Sequence, residues 1–316
     1  MVRIGNLFNK IVNLNNLHLA ELAAKKGKSK KKYVIEFNKN RTENIWKLYT
    51  ELVNNSYRVS KYKKLTIYEP KKRILSKPNY RDRIIHHAII QILEPILTKC
   101  FISQTYSCIR NRGLHKGLKV LNSYLKDAEN TKYVLKLDVK KFYQSVDNQI
   151  LINLLKTKFK DKKLINLLEI IVNSHKALPL GSYTSQWFGN FYTNKLNHWL
   201  KENKKVRYLI VYCDDYVILH NSKEYLHNLK KEIQEYLKYN LNLKLSNYQV
   251  FPTNKGIDFL GYVSYPTHIK LRKSIKKRWI KMLKNNLNKK SLSSYNGWLC
   301  HANTINLQNK YLKNVK

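Results

Sequence analysis

Two short apolar runs, Arg207–Tyr212 and Tyr216–His220, are separated only by Cys213-Asp214-Asp215. Runs of that length rich in Val, Ile, Leu and Tyr read as strands, and so short a connection leaves them a tight hairpin. Adjacent carboxylates at such a turn must meet water or a cation, because burying them unpaired is prohibitively costly. Asp is common in ordinary turns, so the pair alone is also explained as a plain turn. A third acid argues for more. Tyr133–Leu137 reads as another apolar strand, and it ends at Asp138. Carboxylates carried to one point by separate rigid strands suit hard divalent cations such as Mg²⁺. Two such ions are what an in-line attack on a nucleotide phosphorus needs, since charge builds on both the attacking and the leaving oxygen.

The rest of the chain supplies a mixed framework. Ile4, Leu7, Phe8, Ile11 and Val12 suggest an amphipathic helix, ending in the lysine run before Tyr33; from Tyr33 to Pro78 the text alternates as strands do, with Tyr57–Ser60 and Leu65–Tyr68 leading into a turn at Glu69-Pro70-Lys71-Lys72. Ile84, Ile85, Ala88, Ile89, Ile92 and Leu93 recur at helical spacing, so Arg81 to Leu97 reads as a helix bounded near Pro95. Helices are also expected over 147–173, Thr184–Glu202 and 223–240, where Leu226, Leu229, Ile233, Tyr236 and Leu237 share a face. Asp258–Val263 reads as a last strand, and the tail from Lys270 onward as basic and helical.

Charge points to the partner. In 316 residues, 61 Lys+Arg stand against 20 Asp+Glu, a formal net charge of +41. An AT-rich genome inflates Lys, but it inflates Glu as well, and acids are scarce here. A polyanion such as nucleic acid fits the excess better, through salt-sensitive binding that releases counterions. Cys100, Cys108, Cys213 and Cys300 lack zinc or disulfide spacing and read as thiols in a reducing compartment; His86-His87 has no Cys or acidic neighbour at ligand spacing. No apolar run reaches the eighteen or so residues of a membrane span, and the N-terminus lacks a signal-peptide pattern, so a cytoplasmic protein, bacterial or phage-encoded, is expected.

Taken in order, Asp138-x-x-x-Phe-Tyr, Leu-Pro-x-Gly-x-x-x-Ser-Gln ending at Gln186, Tyr-x-Asp-Asp, and Phe259-Leu260-Gly261-Tyr262 resemble the reverse transcriptases motif by motif, over roughly residues 57–305. Within that superfamily, Ser185-Gln186 and the stretches RDRIIHHAIIQILEPIL, TYSCIRNRGLHKG, GIDFLGY and WLCHANT look like the enzymes of diversity-generating retroelements, relatives of the group II intron enzymes, which usually carry Ser-Pro at 185–186.

The resemblance implies an α+β right hand: an N-terminal segment and fingers over 1–132, a palm on an antiparallel sheet over 133–265 with inserted fingers helices at about 147–180, and a small helical thumb over 266–316. It implies RNA-templated DNA synthesis with two Mg²⁺ ions, Mn²⁺ being able to substitute. Asp138 and Asp214 then bind metal, with Asp215 completing the site and the Val139 carbonyl assisting. Tyr143 falls at the position that rejects a ribose 2′-hydroxyl, although an aromatic packed under the site is also compatible. Arg73 matches the arginine that meets the incoming triphosphate, a role guanidinium geometry suits better than ammonium. Lys71 and Lys72 beside it are read equally as phosphate contacts or a solvated turn.

Gly181, with Gln186 on the following helix, corresponds to the segment that approaches nucleotide and template base. Leu180 stands where many relatives carry Gln, which implies poor discrimination opposite template adenine. Gln249 stands where many carry a Lys proposed as general acid; Lys244, Lys255 or no side chain takes that role. Lys277, Arg278 and Trp279 fit a thumb gripping duplex backbone, or else a solvated helical bundle. Partners implied are template RNA, its cDNA, dNTPs and a small basic ring-forming accessory protein. The alternatives are a retron or phage-defence reverse transcriptase, and a non-catalytic nucleic-acid-binding relative.

Overall fold

The computed structural model describes residues 3–68, 72–285 and 289–312. Along the chain run α1 (Phe8–Ile11), α2 (Leu14–Lys25), α3 (Lys32–Lys39), α4 (Arg41–Val53), β1 (Lys63–Ile67), β2 (Arg73–Lys77) and α5 (Tyr80–Cys100). There follow α6 (Leu114–Leu125), β3 (Tyr133–Val139), α7 (Phe142–Ser145), α8 (Asn148–Lys158), α9 (Lys162–Asn173) and α10 (Tyr183–His198). The remainder is β4 (Tyr208–Tyr212), β5 (Asp215–His220), α11 (Lys223–Leu241), β6 (Leu245–Pro252), β7 (Ile257–Phe259), β8 (Tyr262–Ser264), β9 (Ile269–Leu271), α12 (Lys273–Asn285), α13 (Lys289–Leu299) and α14 (Ile305–Leu312). Among the described residues no helix is long and apolar enough to cross a membrane.

These elements form two compact units that interleave along the chain. One takes residues 1–102, 139–199 and 235–244; the other takes 103–138, 200–234 and 245–316. Among the described residues the first is helical apart from the antiparallel pair β1–β2. Some of its helices start where side chains satisfy free amides: Asn13 accepts from Asn15 and Asn16, and Asp147 accepts from Gln149 and Ile150. The strand alternation expected from Tyr33 is overturned over its first part, which α3 and α4 occupy, while β1 and β2 take the later part. Ile45, Leu48 and Leu52 are buried at helical spacing, a period that outweighs the local alternation. Nor does Pro95 bound α5, which runs on to Cys100. Buried Leu97 and Cys100 hold the last turn in place, and Asn194 and His198 donate to the Cys100 carbonyl at 3.1 and 2.8 Å.

The second unit is built on a four-stranded sheet of order β4-β5-β3-β6. Val134, Ile210, Val217 and Leu219 lie on one face and pack with Leu121, Leu125, Ile257 and Phe259. Side chains of this size contribute roughly 2 kcal/mol each when fully buried, so the carboxylates at the sheet's end stand on a rigid base. The single strand expected at Asp258–Val263 is instead a hairpin, because Leu260 and Gly261 take φ of 51° and 86° and turn β7 into β8. β8 pairs with β9 in a three-stranded sheet.

The Gly261 position has no room for a side chain: a Cβ there would lie 2.4 Å from Cζ3 of Trp298. Overpacking and left-handed strain together should cost Gly261→Ala roughly 3 kcal/mol. A drop in the urea midpoint checks this; an unchanged midpoint contradicts the packing described.

Trp279 corrects another expectation. It is fully buried beside Tyr262, Leu271, Ile275, Leu283 and Leu299, so it packs the C-terminal helices and offers no face to a base. Lys277 and Arg278 on the same helix are exposed.

Candidate active site

Register places the acids. Asp138 faces Asp215 across the β3–β5 pair, and Tyr212 faces Asp215 across β4–β5, so the three form one row at the sheet's end. Cys213 and Asp214 make the two-residue turn, with Cys213 at φ 61°. The Cys213 amide donates to the buried Ser107 hydroxyl at 3.0 Å, which anchors the turn. Next to it, Gln104 and Tyr106 exchange backbone bonds with Val211 at 2.9 Å and cover the outer edge of β4. Ser246 on β6 donates to the Asp138 carboxylate and lies 3.1 Å from its carbonyl oxygen.

Electrostatics set Asp215 apart in this row. Burial pushes the Asp215 carboxyl up to about 6, and repulsion from Asp214 and then Asp138 adds to it. Lys136 and Arg272 pull the other way without cancelling the effect. Hard carboxylate oxygens held at mutual repulsion are the donor set a divalent ion of the Mg²⁺ class prefers. Among the described residues, however, no three ligand side chains converge closely enough to enclose an ion. One Asp138 oxygen is engaged by Ser246. The residues present fit such a metal.

In the other unit, the second group of sequence candidates lies around β2 and α10. The Ser76 amide donates to the Leu180 carbonyl at 2.8 Å, tying the loop before α10 to the strand that begins with Arg73. Gly181 has φ 107°, and a Cβ on it would sit 3.4 Å from the Ser76 carbonyl oxygen. Both the conformation and the close approach therefore favour glycine. Leu180 is half-buried, while Arg73, Gly181 and Gln186 are exposed. Tyr143 reaches α10 through the left-handed Lys141; a Cβ on Gly189 would meet Phe142 at 3.1 Å and Tyr143 at 3.5 Å, so that glycine admits both rings. Ser182 bonds buried His86 at 3.1 Å and Thr184 at 2.9 Å.

The structure thus brings Asp138, Asp214 and Asp215 together in one unit. In the other it joins Leu180 and Gly181 to the strand of Arg73, and Tyr143 to the helix of Gln186. Val139 ends β3 with its side chain buried. Lys71 lies outside the described residues. Gln249 is exposed on β6 and lines a cavity of about 470 Å³ with Lys136, Phe251 and Asp258. Lys244 and Lys255 are exposed too. Sequence reasoning missed Ser107, Ser246, Ser76 and Gly189. Three are serines acting through backbone or carboxylate contacts between distant segments, for which no local pattern exists.

A sequence model of the family described as "Reverse transcriptase (RNA-dependent DNA polymerase)" matches residues 61–264. Protein YkfC of Escherichia coli (strain K12) is 22% identical over 247 residues, covering 62% of this chain and 65% of YkfC. The group II intron-encoded protein LtrA of Lactococcus lactis subsp. cremoris is 25% identical over 176 residues, 51% of this chain and 29% of LtrA. Among solved structures, apo telomerase from Candida tropicalis superposes with a TM-score of 0.50 at 12% identity, covering 69% of this chain and 49% of that one. The likeness to telomerase shows a right-hand polymerase fold. The chain spans slightly under two thirds of YkfC and less than a third of LtrA.

Proposed function

The chain belongs to the reverse transcriptase (RNA-dependent DNA polymerase) family, and from that premise we propose that it copies an RNA template into DNA by two-metal nucleotidyl transfer. The observation that carries this reading is the row Asp138–Asp215 with Asp214 at the adjoining turn. The family works with divalent metal ions, and Mg²⁺ is the assignment here, with Mn²⁺ able to replace it. When bound, the metal supplies charge neutralisation at the attacking and leaving oxygens. Asp138 and Asp214 hold it, Asp215 and the Val139 carbonyl complete the donor set, and Ser246 orients the Asp138 carboxylate. Arg73, with Lys71, receives the triphosphate. Tyr143 screens the sugar, and Leu180, Gly181 and Gln186 line the base. Residues 1–132 serve as N-terminal segment and fingers, 133–265 as palm and 266–316 as thumb, where Lys277 and Arg278 meet duplex backbone. The four free thiols suit a reducing cytoplasm.

The test is primer extension on a defined RNA template, supplying one dNTP at a time. Incorporation is expected to follow template order, while incorporation without template order, or none, overturns the reading.

The finer assignment is a diversity-generating retroelement enzyme that misreads template adenine, working with a structured template RNA and a small basic ring-forming accessory protein. Its support is Leu180, an apolar side chain held beside Gly181 by the Ser76 bond. The competing reading, an intron-type, retron or defence enzyme, draws on the similarity to LtrA. Leu180→Gln restores about one net hydrogen bond, ~1 kcal/mol, so misincorporation opposite adenine should fall about fivefold in single-nucleotide extension. An unchanged error rate favours the competing reading.

A further inference from the structure

Arg83 is an anomaly of the helical unit. It lies in the first turns of α5 and is only 8% exposed. A buried guanidinium ordinarily has a carboxylate, since the bare charge is costly to desolvate. Among the described residues Arg83 has none: its Nη1 meets the Tyr33 hydroxyl at a long 3.3 Å, and its guanidinium lies over the Tyr33 and Tyr80 rings at 5.6 and 5.8 Å. The surroundings add like charge instead. The Lys77 ammonium sits 4.5 Å from the centre of the same Tyr33 ring.

Lys28 joins them from the turn after α2. Burial, and then Arg83, hold its ammonium below the usual lysine range, with Lys77 adding to the effect. His87 is pressed down to about 4 by burial, Lys28 and Arg83, so it stays neutral and adds no charge. Two cations, Arg83 and Lys77, therefore flank one phenol, with exposed Lys28 within their electrostatic reach. Such an arrangement is unfavourable by itself and becomes favourable when an anion enters.

We propose that Arg83 and Lys77, flanking the Tyr33 ring, with Lys28 nearby, form a seat for one phosphodiester of a nucleic-acid strand. Guanidinium forks suit phosphate oxygens, and flanking ammoniums add non-directional attraction. Position favours a strand over a free nucleotide. Lys77 follows Ser76, whose amide holds Leu180, and His87 stacks on Tyr183 at 4.4 Å, two residues beyond Gly181. The seat thus adjoins the loop assigned above to the base, where the template strand passes. In this respect it rests on the proposed polymerase reading.

The experiment measures binding of an unstructured RNA oligonucleotide by fluorescence anisotropy across a salt series in EDTA, comparing the parent chain with the Lys28→Gln/Lys77→Gln double variant. Loss of one phosphate contact should weaken binding about three- to tenfold and reduce the salt slope by about 0.7. The free variant should melt no lower than the parent, because like charges have been removed around Arg83. Arg83→Met tests the buried member; should it fail to fold, the double variant alone decides. Unchanged affinity and slope overturn the seat, as does a loss confined to dATP binding, which would make the triphosphate the ligand. Because the assay holds no metal and needs no synthesis, a failed seat and a failed polymerase reading give different results.

Discussion

Asp214→Ala should lower templated extension by at least about 10³-fold while leaving the fold intact. Asp214 is the second residue of the β4–β5 turn, and only Cys213 before it takes a positive φ. Alanine therefore fits the backbone without strain, and the Ser107 bond to the Cys213 amide persists. What disappears is a carboxylate that, on the proposed reading, helps hold the metal that neutralises developing negative charge. Removing even one neutral donor from such a position costs 10² to 10³ in rate, about 3–4 kcal/mol, and a metal-binding charge should cost no less. A rate within tenfold of the parent, with melting unchanged, would remove Asp214 from the catalytic centre. The same substitution relieves repulsion on Asp215, whose carboxyl should titrate lower.

Asp215 yields the second large effect, on stability. Its carboxyl is raised from 3.8 to about 6 by burial and by the two neighbouring acids. A carboxyl with a raised folded-state pKa binds more protons folded than unfolded, so stability falls as pH rises between those values and is level above. The difference of about 2 units corresponds to about 3 kcal/mol at most. Metal-free parent protein should thus lose urea resistance between pH 4 and pH 6, and Asp215→Asn should flatten the profile across that window. At pH 7 without metal the variant should be the more stable protein, an advantage that Mg²⁺ reduces by favouring the ionised parent. Parallel profiles for parent and variant would show that Asp215 is not destabilised by its neighbours.

How much of this was legible in the sequence follows from the range of the forces involved. The Asp214–Asp215 hairpin was readable because two apolar runs with only Cys213-Asp214-Asp215 between them leave one local solution, and the structure shortens the turn to Cys213-Asp214. Placing Asp138 opposite Asp215 required only that its strand join that hairpin, which register then fixed. The right-hand fold was legible through ordered motifs, and the described structure agrees with it. Errors arose where local texture misled: alternation after Tyr33 concealed the period of Ile45, Leu48 and Leu52, and the FLGY stretch looked continuous until Leu260 and Gly261 turned left-handed. Trp279 was grouped with Lys277 and Arg278 as a backbone contact because it sits among lysines, yet the amphipathic period of α12 turns it inward. Ser107 and Ser246 could not be found at all, since each acts on a residue about a hundred positions away. The Arg83 cluster was hidden for the same reason: Arg83 and Lys77 meet over Tyr33 only once α3, β2 and α5 are packed.

On the proposed reading, these acids form the metal-dependent centre of an RNA-directed DNA polymerase. The most direct test of that reading is DNA synthesis on a primed RNA template by chelator-treated protein as Mg²⁺ is restored, with Asp138→Asn run alongside. The parent should make no product without metal and should recover saturably, yielding DNA complementary to the RNA, while Asp138→Asn stays near background throughout. Synthesis by the parent without metal, or by Asp138→Asn at the parent's rate, would contradict it.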